Sequence, residues 1–564
     1  MKINKRYLEA AVFIAVYLFI LYLWTLPFQG NQMPYGEFDA ISHWGLADFI
    51  EQTDRTFIYL PPFLDNLYGG DNQFKPHTLW YHPPFHTDLA IISAFAPGRV
   101  VPIFLTNAIF ATAIIISIFF VIRNLYGFLP AVLSSLLLGF SLRDIMPYLW
   151  GQWPERFGYA FIPLALYCFY AYYTTYTKEN NKPIYLYLAG ILLAVQLMIH
   201  PLSFFHSLVG IFVLGIALLL KTRKLPLNWK HIGITAALFL ILFAVFPYQS
   251  GNVIKSFTQD SKREHEYPSL SRLFNWAPDP KDFTGSVPES YFSFRQMHGL
   301  WTLPFLLIGI LFLAIRRENR DIFLLAWLIS LYLILHRDFI GKFFFLHRSL
   351  SATAHIFVPI TVIGALSIPS LIKLPGNYGR FLKYGAAILA VALAFVYNFP
   401  QAQSTLEAAY ASPLARLNPA QLEASEWLKG NLNENQNVSI IGPPWQIMQK
   451  ADWMASFSHR TSFFFEGFLT WKTFNENREE TVKYHLLNDY IVFDYSDIAS
   501  LPDKGLAEEL MDTLRKRNSL AIALLPDKSY NGMAELWLEF EKQNMGNHAL
   551  LYNNKNIRVY KHEG

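Results

Sequence analysis

The chain has 564 residues, 53% of them hydrophobic and 17% aromatic, with only 16% charged and a formal net charge of +4. Long apolar runs recur through roughly the first four hundred positions, which excludes a soluble or nucleic-acid-binding protein and indicates a polytopic α-helical membrane protein. The single cysteine, Cys168, lies inside an apolar run, so neither an intramolecular disulfide framework nor a cysteine metal cluster is expected.

The first apolar run, Tyr7 to Phe28, is long and has no small-residue cleavage pattern after it, so it reads as an uncleaved helix. A polar and aromatic segment, 29–99, follows. Pro61-Pro62, Gly69-Gly70 and Pro83-Pro84 break it, and Phe85 to Phe95 is long enough only for an interfacial helix. Further candidate spans are Val100 to Ile122, Phe128 to Leu142, Phe157 to Tyr173, Ile184 to Ile199, Leu202 to Leu220 and Ile232 to Pro247. Leu300 to Ile315, Ile322 to Leu335, Leu350 to Ile368 and Leu382 to Phe399 complete the set, about eleven spans in all.

Alternation with the N-terminus in the cytoplasm puts Arg123, Lys178 to Lys182, Lys221 to Lys224, Arg316 to Arg320 and Lys373 to Lys383 on the inner side. Each of these loops is basic, as the positive-inside rule requires. The same alternation places 29–99, 143–156, 249–298 and 336–348 outside, together with the chain beyond the last span. These outer segments hold the acids, histidines and tryptophans. The expected organisation is a transmembrane domain over 1–400 and an extracytoplasmic α/β domain over 401–564. In the latter, Leu422 to Leu428 and Leu506 to Arg517 read as helical, and Val438 to Ile441, Tyr490 to Asp494 and Ile557 to Tyr560 as strands.

Chemistry-bearing residues concentrate in the outer loops. Asp39 and His43, four apart, share one helical face just beyond the first span. A carboxylate at the rim of a low-dielectric cavity can accept a proton from a hydroxyl, and Glu37 is its rival for that role. The bland reading is an acid at a helix start in a wet loop. Asp144 and Glu155 lie within Arg143 to Arg156 and fit two readings: with Asp39 they could hold a divalent cation, or they pair with their neighbours Arg143 and Arg156. His336, Arg337, Lys342, His347 and Arg348 are unusually basic for an outer segment and suit a phosphate, with lipid headgroups as the alternative ligand. Trp80, His82 and His86 could contact a sugar or belong to an interfacial aromatic belt, and Trp153, Arg156 and His200 are further candidates to contact it, with a structural hydrogen bond as the alternative for His200.

In layout the chain resembles the GT-C superfamily of membrane glycosyltransferases, which includes oligosaccharyltransferase catalytic subunits, protein O-mannosyltransferases and bacterial aminoarabinose or arabinofuranosyl transferases. The resemblance rests on Gly36-Glu-Phe-Asp39 after the first span, on Asp144 and Glu155 in the second outer loop, and on the outer domain from Leu422-Glu-Ala-Ser-Glu-Trp-Leu428 to Val559-Tyr560. The paired Asp-x-Glu of oligosaccharyltransferases is absent from Arg143 to Arg156, and Gly442-Pro-Pro-Trp445 is not their Trp-Trp-Asp motif. Peptide N-glycosylation is accordingly disfavoured.

The resemblance implies a polyprenyl-phosphate sugar donor, a glycan, lipid or protein acceptor and contact with membrane lipids, while the scarcity of cysteine and the compact size point to a prokaryotic cell membrane. It implies Asp39 as base, Arg337, Lys342 or Arg348 at the phosphate and inversion at the anomeric carbon; the cation that the carboxylates Asp39, Asp144 and Glu155 could hold would be Mg or Mn. A transporter or flippase of lipid-linked glycans would use the same groups without forming a glycosidic bond. A noncatalytic assembly subunit is the third class.

Overall fold

A computed structural model of the chain describes residues 5–29, 33–36, 38–53, 63, 83–244, 268–278, 288–341, 346–371, 378–411, 417–441, 452–460, 462–463, 488–496, 538–539 and 541–562. Helix α1 (Lys5–Trp24) leads to α2 (Phe38–Thr53) and the short α3 (Pro83–Ser93), a helix where a short one was expected near Phe85. Then follow α4 (Val101–Tyr126), α5 (Phe128–Gly139), α6 (Leu142–Leu149), α7 (Trp153–Ala160), α8 (Ile162–Thr177), α9 (Ile184–Ile199), α10 (Pro201–Thr222) and α11 (Trp229–Ala244). The next group is α12 (Phe294–His298), α13 (Thr302–Arg316), α14 (Asn319–Leu335), α15 (Leu346–Ser349), α16 (Ala352–Leu371), α17 (Tyr378–Leu393) and α18 (Phe399–Ala411).

Among the described residues, five helical stretches are long and apolar enough to cross a membrane: Lys5–Trp24, Val101–Tyr126, Pro201–Thr222, Leu346–Pro369 and Phe381–Ala408. A sixth results if α5 and α6, bent by 44°, form one broken span. Five other segments expected to span form helices of 15 to 17 residues, or about 24 Å at 1.5 Å per residue, short of a hydrocarbon core of about 30 Å. The last apolar segment, expected to stop at Phe399, continues through a π turn at Ala394–Asn398 into α18, so helix runs across the expected boundary at 400.

Helices in lipid gain little from hydrophobic exclusion and associate where small residues let backbones approach. Gly309 of α13 and Gly364 of α16 make such a crossing. A Cβ on Gly364 would lie 1.9 Å from the Phe305 carbonyl oxygen, and one on Gly309 would lie 2.3 Å from that of Ile360. Helix α16 is the buried axis of the bundle, whereas α1 faces outward along most of its length.

The basic turns gather at one end. Arg123 pairs with Glu9 at 2.6 Å, Arg320 donates to the Leu125 carbonyl at 3.1 Å, and Lys224 reaches the Thr177 carbonyl at 3.3 Å. The acids, histidines and tryptophans described within 38–53, 143–156, 336–341 and 346–348 occupy the other end.

The C-terminal region begins with α19 (Pro419–Asn431), whose N-cap Asn418 and Gln421 form a capping box. Strands β1 (Val438–Ile441), β2 (Ser462–Phe463), β3 (Tyr490–Asp494), β4 (Ala549–Asn553) and β5 (Ile557–Lys561) form one sheet in the order β2-β1-β3-β5-β4. The first three are parallel, and β5 and β4 continue antiparallel. The three expected strands are present. The helix expected at Leu506 to Arg517 and the Gly442-Pro-Pro-Trp445 segment lie outside the described residues.

Helix α20 (Asp452–Ser458) docks this region onto α2. Trp44 stacks on Phe457 with centroids 4.1 Å apart, and Arg99 clasps Asp48 at 2.6 Å, pairs with Glu426 and donates to the Phe457 carbonyl at 3.0 Å. His459 adds a bond to Asp48 at 2.7 Å. Burial would raise the Asp48 pKa, but the contacts with Arg99 and His459 prevail and hold this carboxyl below its ordinary range.

Candidate active site

Asp39 occupies the first turn of α2, where a carboxylate also meets the positive end of the helix. Two close approaches fix that turn. Gly151, at φ +84°, lies so near that a Cβ there would be 1.9 Å from the Ala40 nitrogen, and the Trp453 indole donates to the Gly36 carbonyl at 3.2 Å. Tyr148 donates to the Trp24 carbonyl at 3.2 Å and meets the Tyr35 hydroxyl at 2.7 Å, tying α1, α6 and the segment before α2 together.

At this point three charged groups from distant parts of the sequence converge. Arg348 Nη2 donates to Asp39 Oδ2 at 2.9 Å, and Arg348 Nη1 lies 3.9 Å from Glu155 Oε2. Asp39 and Arg348 are partly accessible at 26% and 21%, whereas Glu155 is 1% exposed. Burial pushes the Glu155 carboxyl up to about 7, with Asp39 adding to the rise and Arg348 and Arg337 opposing it. Two carboxylates on one guanidinium, one of them titrating near neutrality, form an arrangement suited to proton transfer.

Asp144 is part of a second cluster. It forms an ion pair with Arg156, and His355 Nε2 lies 2.9 Å from Asp144 Oδ1 and 3.0 Å from Arg156 Nη2, with all three side chains buried. The neighbour pairs Asp144 with Arg143 and Glu155 with Arg156 do not form. Residues adjacent in a helix point about 100° apart, so each acid meets a cation from elsewhere. Arg143 instead donates to the Tyr291 carbonyl and lies 4.8 Å over the Tyr291 ring.

No group of three or more histidine, cysteine, aspartate or glutamate side chains suited to a metal is present among the described residues. The set Asp39, Asp144 and Glu155 is not assembled, because Asp144 is held by Arg156 and His355 while Arg348 bridges the other two. These residues do not fit a three-carboxylate Mg or Mn site.

Arg337 stands 5.8 Å over the Phe205 ring and acts on Glu155, while His347 is adjacent to Arg348. His336 is engaged structurally: its Nδ1 meets the Tyr332 carbonyl at 2.7 Å, and Arg272, paired with Asp338 at 3.0 Å, lies 3.1 Å from its Nε2. His43 and His86 form a buried pair with nitrogens 2.8 Å apart. Trp153 spends its N–H on the Tyr148 carbonyl at 3.0 Å and packs against Phe104. His200 caps α10, its carbonyl accepting from Ser203 at 2.7 Å. Glu37, Trp80, His82 and Lys342 lie outside the described residues.

Sequence reading missed His355, Tyr291 and Trp453. His355 was open to detection as an ionisable group inside a long apolar run. Tyr291 and Trp453 carry no comparable signal in the sequence.

No family model matches the sequence, and no curated protein matches it. Solved structures do match. The oligosaccharyltransferase of Archaeoglobus fulgidus superposes with a TM-score of 0.60 at 14% identity, over 87% of this chain and 70% of that one, in its apo form. The same enzyme tethered to an acceptor peptide containing the NVT sequon gives 0.58 at 15% identity, over 87% and 69%. ArnT from Cupriavidus metallidurans bound to undecaprenyl phosphate gives 0.52 at 11% identity, over 98% of both chains. The chain is an integral membrane protein with the GT-C fold of membrane glycosyltransferases.

Proposed function

We propose that the protein is a glycosyltransferase that moves a sugar from a polyprenyl-phosphate carrier to an acceptor hydroxyl of a glycan, lipid or protein. The observation that carries this reading is the convergence of Asp39, Glu155 and Arg348 on one end of a GT-C bundle. ArnT, which shares the fold, is bound to undecaprenyl phosphate, and a lipid-linked donor is assigned to this chain on that analogy. The reading further places the site on the outer face of a prokaryotic cell membrane, with the N-terminus cytoplasmic and the C-terminal domain outside.

Arg348 holds Asp39 in this structure. An arriving phosphate competes for the guanidinium, a preferred partner of oxyanions, and leaves the Asp39 carboxylate to accept a proton. The acceptor O–H gives that proton to Asp39 as its oxygen forms a bond to the anomeric carbon. The bond from that carbon to the carrier oxygen breaks, and its electron pair leaves on the phosphate beside Arg348 and Arg337. One displacement inverts the anomeric carbon. Buried Glu155 holds a proton near neutral pH and so keeps the site from carrying two adjacent negative charges before the donor binds.

The test is mass-resolved transfer from a panel of polyprenyl-phosphate sugars by purified wild type and Asp39→Asn. A new glycoside formed by wild type and reduced about 10²–10⁴-fold in the variant is expected of a general base. Equal activity of both forms removes Asp39 from that role. Movement of lipid-linked sugar across vesicles without a new glycosidic bond would overturn the transferase reading in favour of transport.

A further inference from the structure

Helix α10 opens with Pro201-Leu-Ser-Phe-Phe-His206, and His206 is the only ionisable side chain between Pro201 and Leu220. It is buried. An ionisable group inside a span is expensive, so its partners are informative. Close packing fixes this turn against α7. A Cβ on Gly158 would lie 2.4 Å from Ser203 Oγ, and Gln196 of α9 donates to the Gly158 carbonyl at 3.4 Å. Glu155 stands three positions before Gly158 in the same helix.

His206 reaches the segment that carries Arg348. Its Nε2 meets Ser349 Oγ at 3.1 Å, with both side chains buried, and Ser349 directly follows Arg348 in α15. That helix is a single turn of 4 residues. One turn does not hold its own direction, because fixing its backbone costs more than its few hydrogen bonds return. Contacts from outside therefore orient Arg348. The His206 ring also packs on Tyr159, with centroids 5.2 Å apart, and Tyr159 stands one turn beyond Glu155 on α7. The adjacent Phe205 lies under the Arg337 guanidinium, 5.8 Å away. A path thus runs from α7 through Tyr159, His206 and Ser349 to Arg348, and it closes where Arg348 meets Asp39 at 2.9 Å and Glu155 at 3.9 Å.

We infer that His206 is a positioning residue that aims Arg348 at Asp39 and Glu155 through Ser349. Without the imidazole the Ser349 hydroxyl loses this partner, and α15 is held by one constraint fewer. The aiming stands on these contacts; only its consequence for a donor phosphate rests on the transferase reading.

The experiment needs no ligand. Thermal midpoints of full-length protein in detergent micelles are measured from about pH 5 to about pH 8, each protein beside its own Glu155→Gln form. The series comprises wild type, His206→Leu, His206→Gln, Ser349→Ala, Arg348→Gln, and His206→Leu combined with Arg348→Gln. Burial raises the Glu155 carboxyl, and Arg348 opposes that rise most strongly. The gap between each pair opens as pH climbs past the ordinary carboxylate range and levels off once the folded protein has lost this proton. Moving Arg348 away shifts the levelling point to higher pH. That shift is expected in His206→Leu and Ser349→Ala, in the direction of Arg348→Gln. His206→Gln, whose amide can still bond the Ser349 hydroxyl, should keep the wild-type profile. The double variant should shift no further than Arg348→Gln alone, because both changes act on one contact. Lower midpoints with an unmoved levelling point show a merely structural role and overturn the inference. So does a His206→Leu shift that persists at full size when Arg348 is absent. Ser349→Ala, which removes one hydroxyl, decides the outcome if His206→Leu does not fold. A wild type that forms no glycoside counts against the transferase reading alone, since the profile is read without donor.

Discussion

Replacing Glu155 by glutamine tests the electrostatics of the site without changing its shape. Burial lifts this carboxyl from 4.5 to about 7, and at roughly 1.36 kcal/mol per tenfold change in proton affinity the ionised form costs the folded protein about 3 kcal/mol. The folded state holds the proton more tightly than the unfolded state, so stability is fully present below 4.5 and is lost as pH rises through about 7. Glutamine is neutral throughout. Thermal midpoints of wild type and Glu155→Gln in micelles, measured from about pH 5 to about pH 8, should therefore diverge in favour of the variant as pH rises, and level off above neutrality. A constant difference across that window, or a wild type that gains on the variant, refutes the assignment of a protonated buried Glu155.

Other expectations concern the same frame. Arg348→Gln removes the strongest opposing charge on Glu155, so the pH dependence of the stability gap should move to higher pH, and the KM for lipid donor should rise about tenfold; an unmoved profile counts against the contact. Trp453→Phe loses the bond to the Gly36 carbonyl and should lower kcat several-fold with little change in KM for the donor, whereas unchanged turnover means that the C-terminal domain does not position Asp39. Gly151→Ala places a methyl 1.9 Å from the Ala40 nitrogen, so it should displace the Asp39 turn and reduce transfer by more than it reduces stability; activity at the wild-type level contradicts that packing. Asp48→Asn breaks a buried ion pair and should cost about 3 kcal/mol. Because the Asp48 pKa lies below 3.8, that contribution is present above the ordinary carboxylate range and lost as pH falls below it, which acid unfolding of the two proteins can check.

The amino-acid sequence by itself determined that the chain is a polytopic helical membrane protein, because apolar runs of this length have no other stable environment. It located the short helix near Phe85 and three strands of the C-terminal sheet, since hydrophobic periodicity is a local property. It also singled out Asp39, Glu155 and Arg348, because charged groups beside apolar runs are expensive. The partners of those charges were decided only by tertiary structure. Sequence adjacency suggested Asp144 with Arg143 and Glu155 with Arg156, but successive helical positions diverge in direction, and the packed helices bring Arg156 and His355 to Asp144 and Arg348 to Glu155 and Asp39. The number of full-length spans was likewise beyond hydropathy, because short helices and one bent pair blur where a run ends. The contact of Trp453 with Gly36 joins positions 417 residues apart. Local sequence sets which groups are costly to bury, and only the assembled bundle sets which opposite charge lies close enough to offset that cost.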